Sequence, residues 1–137
     1  MNSNQNLAAM KRFYDTFLGG NTAGLSALVT DDFVLSNDFT SRVPTAGEFH
    51  GRDGLLSFFT ILGDVISEIY VFQPDEFIAG GDKVVVLGHE RMKVRVTGRA
   101  VSARWVQIGT FRDGLMCRFD EYSDTAAWDV GFCPIES

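Results

Sequence analysis

The chain changes its rhythm near its middle. As far as Gly63 the apolar side chains recur at helical spacing; beyond it they alternate with polar ones. Leu7, Met10, Phe13 or Tyr14, Phe17 and Leu18 define one apolar face, and Gly19-Gly20 stops that helix. Asn21-Thr22 is a suitable N-cap for a short helix through Leu25, Leu28 and Val29, which Asp31-Asp32 ends as a helix-to-strand turn. A strand is expected over Phe33 to Phe39, followed by a loop with Pro44 and Gly47. Gly51-Arg52-Asp53-Gly54 then opens a third helix carrying Leu55, Leu56, Phe58, Phe59, Ile61 and Leu62.

After Gly63, stretches of strand are punctuated by Gly80-Gly81-Asp82, Thr97-Gly98-Arg99 and Arg112-Asp113-Gly114. Glycine supplies the positive φ that a tight hairpin turn requires. Four strands joined by three such turns predict an antiparallel meander, with Thr125 to Gly131 as a short closing helix. Helices first and a meander after is an α+β layout, the helices covering one face of a curved sheet.

Alternation splits each strand into two rows. The more apolar or more aromatic rows are Phe33, Leu35, Asn37, Phe39 in the first strand and Val84, Val86, Gly88, Glu90, Met92, Val94, Val96 in the one after Gly81. They continue as Val101, Ala103, Trp105, Gln107, Gly109, Phe111, and as Leu115, Cys117, Phe119, Glu121, Ser123. Each row carries a polar intruder: Asn37, Glu90, Gln107 and Glu121. Burying such a group without a partner costs about 1–3 kcal/mol, so four on one side of a sheet point to a solvated cavity rather than a dry core. Glu121, beside Phe119 and Cys117, is the leading candidate for general acid or base work, because desolvation raises a carboxyl's pKa. Phe39, Trp105 and Phe119 would wall the cavity, and Tyr14 would reach in from the first helix. The opposite rows read as outer surface: His89 lies with Arg91, Lys93 and Arg95, and Asp15 and Asp38 also face outward. His50 sits in a loop, where it stabilises a turn or borders the pocket.

Composition narrows the classes. A chain of 137 residues makes one domain, residues 1–137. Twelve phenylalanines, two tryptophans and three tyrosines are more bulk than a small core needs, which leaves some for a cavity or an interface. The net charge of −6 argues against nucleic acid, and no apolar run is long enough to span a membrane. Met1 to Asn6 lack the basic and apolar regions of a secretory signal, so a cytoplasmic location is expected. Two cysteines, Cys117 and Cys133, and two distant histidines offer neither a disulfide framework nor a metal cluster. No cofactor motif or nucleophile motif appears, so neither metal nor cofactor is expected.

The order helix, short helix, Asp-Asp, strand, then AGEFHGRDGLLSFF (Ala46 to Phe59) resembles the front half of SnoaL-like, nuclear transport factor 2-like domains. VTGRAVSARWVQIGTFRDGLMCRFDEYSDTAAW (Val96 to Trp128) resembles their ending. The resemblance implies a cone-shaped α+β fold, N-terminal helices on a strongly curved, mostly antiparallel sheet, and a homodimer formed through the sheet's outer face. It also implies a deep pocket for a small hydrophobic ligand. Among relatives, ketosteroid isomerases place a carboxylate base on the first strand and a protonated aspartate on the penultimate one. Asn37 and Gln107 stand there instead, which removes steroid isomerisation and leaves two amides to polarise a ligand carbonyl. The acid/base carboxylate of the polyketide cyclases falls at or near Glu121. The expectation is therefore a cyclase- or isomerase-type proton transfer, or a related lyase or hydrolase step, at a carbonyl compound. The alternatives are a non-catalytic binding domain and a dimerisation domain of the same fold.

Overall fold

The computed structural model describes residues 2–134; Met1 and residues 135–137, the two ends of the expected domain, lie outside the described residues. Helix α1 (Ser3–Leu18) begins at a capping box, in which the Asn2 side chain accepts from the Gln5 amide and the Gln5 side chain accepts from the Asn2 backbone N–H. Asn21 caps α2 (Thr22–Leu25), which tightens into a single 3-10 turn over Ser26–Leu28. Strand β1 (Val29–Asn37), β2 (Glu48–His50) and α3 (Gly51–Val65) follow, then β3 (Ile66–Gly80), β4 (Lys83–Val94), β5 (Ala100–Arg112), β6 (Leu115–Ser123) and α4 (Thr125–Gly131). Among the described residues no helix is long and apolar enough to cross a membrane.

The strands form one sheet in the order β2-β1-β6-β5-β4-β3. Strands β3 to β6 are the expected meander, every neighbouring pair antiparallel. Strand β1 returns beside β6 in parallel, and β2 extends that edge antiparallel to β1. The expected α+β class is thus observed, with a mixed sheet in which one parallel pair sets the first strand against the last. In the β5–β6 turn both Asp113 (φ 53°) and Gly114 (φ 84°) adopt positive φ, which matches the right-handed twist of the flanking strands.

Four boundaries differ from the sequence reading. Asp31 and Asp32 are not a turn but part of β1, where a bulge leaves both exposed; Asp31 pairs with Arg52 and Asp32 with Arg112. Residues 48–50, expected as loop, pair with β1 and lead directly into α3. Strand β1 ends at Asn37, so Phe39 belongs to the following loop, and β4 ends at Val94, so Val96 is exposed in the turn.

The inward rows hold throughout β4 and β5, where buried and less buried residues alternate without interruption from Val84 to Val94 and from Val101 to Phe111. In β6 the alternation slips. Phe111 pairs with Met116 and Thr110 with Arg118, leaving Cys117 as an extra residue, and Met116 rather than Leu115 or Cys117 is buried. From Phe119 the expected parity is restored.

Two apolar clusters occupy the inner face. The larger joins α1 and α3 to the sheet through Met10, Phe13, Tyr14, Leu55, Phe33 and Trp105; the smaller packs Trp128 of α4 onto Met92, Val94, Val101 and Ala103. Phe72 and Leu62 belong to the margin of both. Gly88 lies directly opposite Trp105 in the ladder, and a Cβ there would stand 2.3 Å from the indole, so only glycine lets Trp105 lie flat across β4. That indole in turn stacks on Phe72, with ring centroids 5.0 Å apart.

Candidate functional site

A cavity opens at the seam between the two clusters. Its apolar wall comes from Phe13 and Phe17 of α1, Phe58, Phe59 and Leu62 of α3, Phe72 of β3 and Met92 of β4, with Leu35 and Phe119 on the sheet and Phe39 on the loop after β1. The polar lining consists of Tyr14, Thr45, Glu90, Gln107, Glu121 and the indole of Trp128. The enclosed space is narrow, about 60 Å³, room for a few waters at ~10–15 Å³ each. No lysine, arginine or histidine lines it among the described residues.

Strand register assembles the polar group. Gln107 pairs with Glu121 across β5 and β6, and Glu121 pairs with Asn37 across β6 and β1. The Tyr14 hydroxyl donates to Gln107 Oε1 at 2.7 Å, and Gln107 Nε2 donates to Glu121 Oε2 at 2.6 Å. One amide thus joins a phenol on α1 to a carboxyl on β6. Glu121 Oε1 has no hydrogen-bond partner among the described residues, and it is not sealed off. Burial raises the Glu121 pKa to about 7, opposed by the Gln107 amide and assisted by the charge of Asp38. Burial, then the charge of Glu121, also raises the Tyr14 phenol above its ordinary value.

Glu90 lies farther along the cavity. It is four residues along β4 from Val86, the partner of Gln107, which corresponds to about 13 Å of strand. Burial first, and the Glu121 charge second, hold its carboxyl well above the usual range. The Trp128 indole N–H lies beside Glu90, near enough to oppose that rise in part, but it completes no hydrogen bond.

Residues 10–119 match the SnoaL-like domain. The chain belongs to the SnoaL-like family. Solved structures share the fold over most of the SnoaL-like chain. A nuclear transport factor 2-like protein from Burkholderia xenovorans LB400 is 27% identical with a TM-score of 0.88, over 97% of this chain and 99% of that one. A second, from Burkholderia pseudomallei K96243, is 27% identical with a TM-score of 0.85, over 93% of this chain and 97% of that one. TerC, crystallised with polyporic acid, is 24% identical with a TM-score of 0.83, over 93% of this chain and 98% of that one. The α+β cone expected from the resemblance is therefore the fold of this SnoaL-like domain. No protein of curated function matches the chain in sequence.

The structure gathers Tyr14, Phe39, Glu90, Gln107, Phe119 and Glu121 around one cavity. Phe13 and Tyr14, between which helical periodicity could not choose, are both buried and both line it. Two other expected residues stand elsewhere. Asn37 does not offer its amide to the cavity: Nδ2 donates to the Thr45 carbonyl at 2.7 Å, and Oδ1 accepts from the backbone N–H groups of Gly47 (3.0 Å) and Phe39 (3.3 Å). The side chain is spent holding the loop that carries Phe39 and Thr45. Trp105 is buried but stands behind Tyr14 and Phe72 rather than at the cavity surface.

Trp128 and Thr45 line the site without having been singled out. A seven-residue helix shows too few turns for its inward face to be read from spacing, and Thr45 sits in a loop that follows neither period. The histidines remain outside: His50 faces Glu48 and His89 faces Asp75, both at the surface. Among the described residues, no three His, Cys, Asp or Glu side chains are grouped to hold a metal ion.

Proposed function

We propose that this SnoaL-like domain binds a small, largely apolar carbonyl compound and moves a proton on it, with Glu121 as the acid/base. The observation that carries the reading is a buried carboxyl with one oxygen fixed by Gln107 and the other free, in an aromatic cavity that holds it near pH 7. A base works best when its pKa lies close to the operating pH. Ionised, Glu121 takes a proton from a carbon or hydroxyl adjacent to the carbonyl; protonated, it returns the proton at another atom, which is an isomerisation or the closing step of a cyclisation. Gln107 keeps a second amide proton for the ligand, since its first goes to Glu121. Tyr14 fixes the direction of that amide by occupying its oxygen, so the phenol positions Gln107 rather than touching the ligand.

The test has two stages. Small aromatic ketones are screened by thermal shift, and the binders are incubated in D2O and followed by NMR for exchange beside the carbonyl. Wild type is expected to exchange that proton, and Glu121→Gln to lose at least 100-fold of the rate while still binding. Full-rate exchange in Glu121→Gln overturns the assignment. Binding without exchange in wild type leaves a binding protein.

The homodimer implied by the resemblance is proposed to form on the sheet's outer face, where Tyr70, Val71 and Tyr122 are exposed. Val71→Glu is expected to shift the chain from dimer to monomer in light scattering; a monomeric wild type refutes the dimer.

A further inference from the structure

The linked group of Tyr14, Gln107 and Glu121, with Thr45 on the loop that Asn37 holds, leaves Glu90 and Trp128 of the polar lining unexplained. Both are buried, at 5% and 4% exposed. They come from different elements, β4 and α4, and both line the same void, Glu90 standing four residues along β4 from the position that faces Gln107. The Trp128 Nε1–H is buried and has no partner among the described residues. The Glu90 carboxyl lies against that indole and lines the cavity, and it completes no hydrogen bond among the described residues. A native chain rarely leaves a buried donor and a buried carboxyl both unsatisfied without a reason.

We propose that Glu90, backed by Trp128, is a second polar subsite that donates a hydrogen bond to a neutral oxygen on the ligand, so that the cavity selects molecules with a polar group at each end of an apolar body. The inference rests on the pocket proposed above and names its ligand class. When Trp128 closes on one Glu90 oxygen, the other is left toward the cavity carrying the proton. A protonated carboxyl there needs an acceptor such as a ketone or an alcohol. Burial and the nearby Glu121 both favour that protonated form. Carboxylates and phosphates are rejected, because two acids and no cation line the void. The aromatic walls and two acids would also suit an amine, but an amine must ionise Glu90 against its surroundings and repels the indole N–H beside it. The ring of a single aromatic ligand would span the apolar middle by moving Phe13 and Phe119 apart from Phe72 and Met92, since the space of about 60 Å³ holds only a few waters.

Calorimetric titration of the full chain at pH 6 with three probes of one skeleton tests this. Phenol carries a single polar end, 4-hydroxyacetophenone adds a neutral acceptor, and 4-hydroxybenzylamine adds a cation. The expected result is that 4-hydroxyacetophenone binds at least tenfold more tightly than either of the others. Glu90→Met should abolish that advantage without weakening phenol, whereas Glu90→Gln, which retains an N–H donor, should keep most of it. Trp128→Phe should reduce it. Equal affinity of wild type for phenol and the ketone overturns the subsite and leaves the pocket standing. Tighter binding of the amine overturns the neutral-acceptor class. An advantage that survives Glu90→Met overturns the role of Glu90. Failure of all three probes to bind overturns the pocket and the subsite together.

Discussion

Gln107 and Glu121 face each other across β5 and β6, and the amide of the first donates to the carboxyl of the second over 2.6 Å. Because the same amide accepts from Tyr14, its direction is set by the phenol. Replacing Gln107 by Leu strands both neighbours. Loss of stability of about 1–3 kcal/mol is expected, measured by denaturant unfolding. The Glu121 titration midpoint should also move above its value near 7, since the amide is what opposes desolvation. NMR of the Glu121 side chain across pH reads that shift, and an unchanged midpoint would show that Gln107 does not tune the acid.

The pH dependence of stability has a definite sign. Glu121 in the folded chain holds its proton up to about pH 7, against a reference near 4.5, so across that window the native state binds more protons than the unfolded one. The stabilisation is fully present below 4.5 and is lost as pH rises through 7. Glu90, also raised, contributes with the same sign. The chain should therefore be more stable at pH 5.5 than at pH 8 by on the order of 2 kcal/mol. Glu121→Gln should remove much of that difference in thermal melts at the two pH values. A wild-type profile that instead rises toward pH 8 would mean that Glu121 ionises as it does in water.

Gly88→Ala should damage the site from behind. The added Cβ would stand 2.3 Å from the Trp105 ring and 2.7 Å from the Gln73 carbonyl, and Trp105 supports both Phe72 and Tyr14. Overpacking of this kind costs about 1–3 kcal/mol. Ligand affinity should fall alongside the melting temperature, although Gly88 is not itself part of the cavity wall.

Asn37→Ala should act on the loop rather than on the chemistry. Three hydrogen bonds between its amide and the loop backbone disappear, so amide exchange over residues 39–47 should accelerate. KM should rise as Phe39 and Thr45 lose their fixed places, with kcat little changed. A fall in kcat at constant KM would restore Asn37 to the reacting groups.

Much of this was legible before any coordinates. The alternation in β4 and β5 places Glu90 and Gln107 inward because β-side chains have a period of two and these strands run without interruption. What a side chain meets once it points inward was not legible. Asn37 is on the expected row, but it stands at the strand's end, where the returning loop consumes its amide. Trp105 is also on its row, yet the absence of a side chain at Gly88 draws it over the neighbouring strand and away from the void. Strand β2 is three residues long, too short for a period to show, and the Asp31-Asp32 pair imitates a turn because a bulge exposes two successive residues.

The extra residue at Cys117 has one more effect. Counted from Arg112 opposite Leu115, a regular ladder would bring Asp120 opposite Gln107. With Cys117 left out of the pairing the count advances by one, and Glu121 arrives there while Asp120 turns away to pair with Arg118. Two acids stand side by side in the chain, and the choice between them is made by a skipped rung four residues upstream. The longer side chain is thereby set in the aromatic void and the shorter against Arg118 on the other face of the sheet, so the reading frame of the hairpin, rather than the mere presence of an acidic residue, determines which carboxyl the cavity acquires.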